Sequence, residues 1–286
     1  MAEPLPICYL NGKLLALAEA RISPLDRSFL FGDGVYEVIA VRHGTARRLP
    51  GNLARLSRSL NELRILNPHS PAQWAAIVSK LIDANGSGNI YVYLQVSRGA
   101  EFGRNHAPLP AIEPTVFGFC APLPLPGPDA LERGVACITA PDIRWARCDI
   151  KSVALLANVL LRQKAVEAQA SETILLRDGM LTEASASSVY VISGGRICAP
   201  PNSNQLLPGT TRTLVEELAD EAGIPRHVDG VTEVELRCAD EVWLSAATRG
   251  VVAVTSIDGQ PVADGRPGPL WRRMHELIEA YWAPAY

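Results

Sequence analysis

Apolar and polar positions along this chain alternate with two different periods, and each change of period marks an element. In "ICYLNGKLLAL" apolar residues alternate on either side of Asn11-Gly12, a pair suited to a tight turn, which predicts a hairpin. "GVYEVIAVRHGTARRL" reads as a second hairpin. In "LPGNLARLSRSLNELRI" the residues Leu53, Leu56 and Leu60 fall at helical spacing, and "PAQWAAIVSKLIDANG" is a second helix that a glycine stops. "NIYVYLQVSRG" and "PTVFGFC" read as strands. Further on, the pattern predicts a helix over 152–169 and strands in "ETILLRDG", "MLTEAS" and "SVYVISGGRICAP". The helix "TTRTLVEELADEAG", the strands "EVWLSAAT" and "GVVAVTSIDG", and a closing helix over 267–282 complete the chain.

Between these halves, "CAPLPLPGPDAL" crowds prolines and a glycine into a few residues. Such chain is stiff and extended and suits a connector. The expected organisation is therefore an N-terminal domain over 1–122, a linker over 123–129 and a C-terminal domain over 130–286. Strands and helices mix without strict β-α-β alternation, which predicts an α+β fold with antiparallel or mixed sheets flanked by helices.

Composition narrows the function classes. The 286 residues are 48% hydrophobic and 20% charged, with a formal net charge of −3, and no basic run tracks a nucleic-acid backbone. No apolar stretch reaches the roughly 18–20 residues of a membrane helix. The opening "MAEPLPICYLNGK" lacks a basic-then-apolar leader, so a cytoplasmic location is expected. The cysteines Cys8, Cys120, Cys137, Cys148, Cys198 and Cys238 are scattered without a C-x-x-C, as expected of reduced thiols rather than a metal cluster.

Candidate chemistry begins at "RCDIKSVALLANVLL". The four lysines are Lys13, Lys80, Lys151 and Lys164, against a large excess of arginine. A lysine amine can give up its proton and act as a nucleophile; a guanidinium cannot. Lys13 lies in a turn, Lys80 on an amphipathic helix, and Lys164 among Gln163 and Glu167, whereas Lys151 stands between a charged turn and a long apolar run. In "LLPGTTRTLVEELA", Gly209, Thr210 and Thr211 open a helix, where unpaired N–H groups and hydroxyls suit an anion; a plain helix cap is the alternative. Thr248 in "LSAATRG" can serve the same anion or simply end a strand, and Arg55 in "GNLARLSRSL" can bind it or face water. Glu183 in "GMLTEASASSVYV" precedes a run of tiny residues that lets a flat group approach, unless it is a solvated turn glutamate. Arg104 and His106 stand two apart in "SRGAEFGRNHAPLP". In extended chain both point to one side, as an α-carboxylate would require, though a polar surface loop looks the same. An amine, a carboxylate for a ring nitrogen and a phosphate socket are together what pyridoxal phosphate needs.

These segments carry a resemblance that runs through essentially the whole chain. "RSFLFGDGVYEV" (27–38), "NLARL", "DIRWARCDIKSVALLANVL", "LTEASASSVYV" and "LLPGTTR" resemble, in order, the motifs of the D-amino-acid aminotransferase group of fold type IV pyridoxal phosphate enzymes. The resemblance implies a two-domain fold with the active site between the domains, pyridoxal 5'-phosphate as cofactor, and a homodimer. It implies Lys151 as the Schiff-base and proton-shuttling lysine and Glu183 as partner of the pyridine nitrogen. Arg55, Thr210, Thr211 and Thr248 would hold the phosphate, with Leu207 against the ring. Tyr36 would line the substrate pocket, and Arg104 and His106 would take the substrate carboxylate in the neighbouring subunit's site. The implied substrates are a D-amino acid of the D-alanine or D-glutamate class and a 2-oxo acid, in a ping-pong cycle. Branched-chain L-amino-acid or (R)-amine transfer and aminodeoxychorismate lyase chemistry use the same scaffold. The chain departs from the pattern at Ser188, where the group has an asparagine, and at Arg249-Gly250, where relatives often have a polar residue and a glutamate.

Overall fold

The Asn11-Gly12 turn joins β1 (Ile7–Leu10) to β2 (Lys13–Ala16), and both turn residues take positive φ, 44° and 93°. That backbone twist lets two antiparallel strands fold back on each other without a longer loop. The computed structural model describes residues 3–86 and 88–284 and divides the chain into two units. Residues 1–124 and 150–155 form the first unit; residues 125–149 and 156–286 form the second.

In the first unit a short α1 (Arg27–Phe31) is capped by the Asp26 side chain and closed by Gly32 at φ 69°. It leads into β3 (Gly34–Val41), then α2 (Leu49–Glu62), α3 (Pro71–Asn85), β4 (Ile90–Ser97) and β5 (Thr115–Pro122). The sheet runs β2-β1-β5-β4-β3, antiparallel at every pairing. Alternate residues Val35, Ile39, Val41, Val92, Leu94 and Val96 turn to one face, where Leu56 and Leu60 of α2 and Trp74 and Leu81 of α3 bury them. Burial of this set is the main drive for folding the unit, at roughly 25 cal/mol per Å² of apolar surface. The expected second hairpin does not form. After β3 the chain turns through His43 and Gly44, both at positive φ, makes only the isolated Arg42–Thr45 bridge, and enters α2. "TARRL" has no alternating apolar face for a return strand to bury.

The second unit begins with α4 (Pro128–Arg133), which takes the tail of the proline-rich stretch, and β6 (Val135–Pro141). Next come α5 (Leu156–Glu167), β7 (Glu172–Arg177), β8 (Met180–Ala184), β9 (Ser188–Ser193) and β10 (Arg196–Ala199). After α6 (Thr210–Glu221), β11 (Arg226–Val228) and α7 (Glu233–Arg237) follow β12 (Glu241–Ala246), β13 (Gly250–Ile257), β14 (Gln260–Pro261) and α8 (Pro269–Trp282). The sheet order is β11-β10-β9-β12-β13-β6-β7-β8, with β14 on β13. β10–β11, β13–β6 and β6–β7 are parallel and the other pairings antiparallel, so the sheet is mixed. The helix expected over 152–169 starts only at Leu156, because residues 151–153 bond to β3 instead. Among the described residues no helix is long and apolar enough to cross a membrane.

Leu60 is fully buried on the helix that also carries Asn52, Arg55 and Ser59. Leu60→Ala should destabilise the first unit by about 2–5 kcal/mol. A lowered urea midpoint, followed by circular dichroism, checks it; an unchanged midpoint contradicts this core.

Candidate active site

Lys151 is placed by backbone pairing. The Tyr36 amide donates to the Lys151 carbonyl (2.9 Å), Ser152 bridges Val35, and the Val153 amide donates to the Gly34 carbonyl (3.0 Å). The strip thus forms an extra antiparallel edge on the start of β3. Of the two glycines of "FGDG", Gly32 makes room for it, and Gly34 makes room for β4. A Cβ on Gly34 would fall 2.9 Å from the Val96 carbonyl oxygen, and one on Gly32 would fall 3.0 Å from Ala154 Cβ. Ile150 is buried in the core, and the Lys151 amide donates to Ser59 Oγ of α2 at 3.3 Å. The half-buried lysine then lays its Nζ 4.1 Å from the centre of the Tyr36 ring, which stacks on Tyr93 at 5.6 Å. A cation over a π face is attracted by the ring quadrupole, so the amine is oriented rather than swinging in water.

Behind this strip sits Arg55. Its Nε and Nη2 donate to the two oxygens of Glu37 at 2.7 and 2.9 Å, and Asn52 Nδ2 adds a third bond at 2.9 Å. Glu37 is 0% exposed. A carboxylate so deep is tolerable only with a matched cation and further donors, and the guanidinium fork meets both oxygens at once. Glu37 follows Tyr36 directly and shares the inward face with Val35 and Ile39. That inward carboxylate is the signal, legible in the sequence, that a buried cation must face it.

The second unit holds a carboxylate cluster of its own. Glu183, buried at the end of β8, accepts from the Leu207 amide at 3.1 Å and from Arg144 Nη1 in a short contact. Arg144 also donates from Nε and Nη2 to Asp142, both 2.9 Å, and Asp142 accepts from Thr182 Oγ1 at 3.0 Å. Burial works against the charge on Arg144, but hydrogen bonding to Asp142 and the charge of Glu183 outweigh it and raise its pKa above the ordinary value. Burial likewise works against the Asp142 carboxylate, and the Arg144 bonds override it, so that pKa is lowered. Arg144 thus holds Glu183 in place.

Thr210 and Thr211 open α6, whose N-cap Gly209 has no side chain to satisfy the first-turn N–H groups. A Cβ on Gly209 would lie 3.1 Å from Ser188 Oγ, so the residue that departs from the resembled pattern packs on this helix start. Thr248 is partly exposed in the turn between β12 and β13. Its neighbour Arg249 reaches to 4.0 Å from Glu172. Glu172 is fully buried and accepts from Ser185 and Ser187, holding the turn that follows Glu183. Sequence reading missed Glu172, because nothing local distinguishes a strand-end glutamate facing in from one facing out.

Arg104 and His106 lie on the exposed loop after β4, beside Phe31. The ring is 5.2 Å from the Arg104 guanidinium carbon and 5.5 Å from the imidazole. Each unit by itself carries groups that suit part of a phosphorylated pyridine aldehyde: the first an oriented amine, the second a buried carboxylate braced by an arginine and a helix start flanked by hydroxyls. Among the described residues no cluster of histidine, cysteine and carboxylate side chains fits a metal ion.

Comparison with known proteins identifies the family. Residues 34–257 match the family model described as amino-transferase class IV. A D-alanine aminotransferase of Bacillus licheniformis is 40% identical over 269 residues, covering 94% of each chain. The branched-chain amino acid aminotransferase of Escherichia coli superposes with a TM-score of 0.92 at 23% identity, over 98% of this chain and 95% of that one. A branched-chain amino acid aminotransferase of T.th., solved with pyridoxamine 5'-phosphate, superposes with a TM-score of 0.89 at 27% identity, over 96% and 94%.

The lowered Asp142 pKa has a pH consequence. A carboxyl whose folded pKa is depressed contributes its stability in full above the unfolded value of about 3.9 and loses it as pH falls through the folded value. Asp142→Asn should therefore cost stability at pH 7 and flatten the fall in stability below about pH 4. Guanidinium unfolding midpoints across that range check it; parallel acid limbs for the two proteins would refute it.

Proposed function

The chain belongs to the class IV amino-transferases, and from that premise we propose that it moves the amino group of a D-amino acid, of the D-alanine or D-glutamate class, onto a 2-oxo acid in a ping-pong cycle. The observation that carries this reading is the 40% identity to a D-alanine aminotransferase along nearly the whole of both chains. Pyridoxal 5'-phosphate, when bound, supplies an aldehyde for an amine and a ring that takes up the electrons left as the substrate α-carbon loses its proton.

The chain's own residues do the rest. Lys151 Nζ, oriented over Tyr36, would hold the cofactor covalently between turnovers and carry the proton to and from the substrate α-carbon. Positioned proton transfer of this kind is worth about 10²–10⁴-fold in rate. Glu183, braced by Arg144 and the Leu207 amide, would keep a proton on the ring nitrogen, with Leu207 against the ring. The first-turn amides and hydroxyls of Thr210 and Thr211, with Thr248 and Arg55, would take the phosphate. Tyr36 would line the substrate pocket. Arg104 and His106 would receive the α-carboxylate in a second copy of this chain, so the working form is a homodimer. Support for a second copy comes from α5, which turns Leu156, Val159, Leu160 and Val166 outward as an apolar stripe.

Lys151→Ala should lose at least about 10²-fold of D-alanine:2-oxoglutarate transamination. Borohydride reduction of the wild-type holoenzyme followed by peptide mapping should label Lys151; label on another lysine, or turnover kept in the variant, sinks the reading. Bleaching of the cofactor band by L-leucine but not D-alanine rejects the D-specific assignment. Mixing Lys151→Ala with an Arg104→Ala/His106→Ala variant should restore turnover at low D-alanine that neither has alone, because one site of the hybrid regains both parts.

A further inference from the structure

The loop bearing Arg104 and His106 is exposed, yet its backbone is anchored from below by a buried arginine that the proposed chemistry does not use. Arg27, at the first position of α1, is 3% exposed. Its Nη1 donates to the Asn105 carbonyl at 2.7 Å and its Nη2 to the His106 carbonyl at 2.9 Å, so one planar group grips consecutive peptides of the loop. Its Nε donates to Asp33 at 2.8 Å, and Nη1 also meets Glu101 in a short contact. Glu101 in turn accepts from the Leu109 amide at 2.9 Å, closing the loop at its far end. Arg27 also lies over Phe31, with 4.7 Å from its guanidinium carbon to the ring centre, on the ring that Arg104 and His106 flank.

Further bonds fix the frame. Asp33 is bound in two places by Arg98, which also donates to the carbonyls of Leu63 and Arg64. The Arg27 amide donates to the Gly99 carbonyl (2.9 Å), and Asp26 bridges Ala100. Gly99, at φ +108°, stands so close to Glu113 that a Cβ would fall 1.9 Å from its carbonyl oxygen. The loop's root is thus rigid, while its tip, including Phe102 at 98% exposure, faces outward.

We infer that Arg27 and Glu101 are positioning residues for substrate-carboxylate recognition: they set the backbone from which Arg104 and His106 project. This rests on the proposed role of that pair. Lysine at position 27 could not replace the clamp, because one ammonium cannot present fixed donors to two carbonyls and two carboxylates at once. A carboxylate grip is felt equally before and during the chemical step, so loosening it raises KM and leaves kcat nearly unchanged.

The test is steady-state kinetics of the holoenzyme with D-alanine. Arg27→Gln and Arg27→Lys should each raise the KM for D-alanine by roughly 10- to 100-fold, the scale of losing a hydrogen bond to a charged group. In both, kcat and the cofactor absorbance should be retained. Glu101→Gln, which keeps an acceptor for the Leu109 amide but drops the charge facing Arg27, should move KM the same way and supplies the result if the position-27 variants do not fold. In an Arg104→Ala/His106→Ala background the same substitutions should add nothing further. An unchanged KM in folded variants, a fall confined to kcat or cofactor content, or a full additional effect in that background would overturn the inference. If Arg104→Ala/His106→Ala itself leaves KM unchanged, the carboxylate reading of the loop fails first; if it raises KM and the clamp variants do not, only the clamp is wrong.

Discussion

Two backbone hydrogen bonds between residues 151–153 and the start of β3 decide where Lys151 lies. They take a lysine that the chain presents at the head of an apolar run and lay it as an extra sheet edge across Gly34, Val35 and Tyr36. Backbone pairing of this kind tolerates little lateral slip, since a one-residue shift would turn the lysine to the opposite face. Gly32 belongs to the same constraint, because a side chain there would crowd the returning strip at Ala154.

In both units buried carboxylates are met by donors, Asp26 and Glu241 by hydroxyl, indole and amide groups and others by arginine. Three deep carboxylates are each matched by an arginine: Glu37 by Arg55, Glu183 by Arg144, Glu101 by Arg27. Removing one partner of such a buried pair typically costs about 3–5 kcal/mol, because the other charge is stranded. Arginine suits the task because its fork matches a carboxylate and it does not lose its proton.

The same pairing logic links recognition to the fold. In the loop after β4, Arg104 and His106 are exposed, but their peptide units hang from a buried guanidinium. In the proposed role, an exposed pair on an unanchored loop would lose conformational entropy on every encounter with substrate, and the anchor would remove part of that loss in advance.

What the sequence determined was what local rules can determine. Alternation predicted most strands of both sheets, though not β6, β11 or β14; leucine spacing predicted α2, and Asn11-Gly12 predicted its hairpin, because each depends on neighbours a few residues apart. The residue types for a pyridoxal chemistry were legible too, as was the order of the motifs that carry them. Only the tertiary structure decided how far the helix after Lys151 extends, which glutamate meets which arginine, and that Arg27 lies under a loop more than seventy positions away. Those outcomes depend on hydrogen bonds and ion pairs between distant residues. Their strength comes from burial, and burial is a property of the folded chain rather than of any stretch of it.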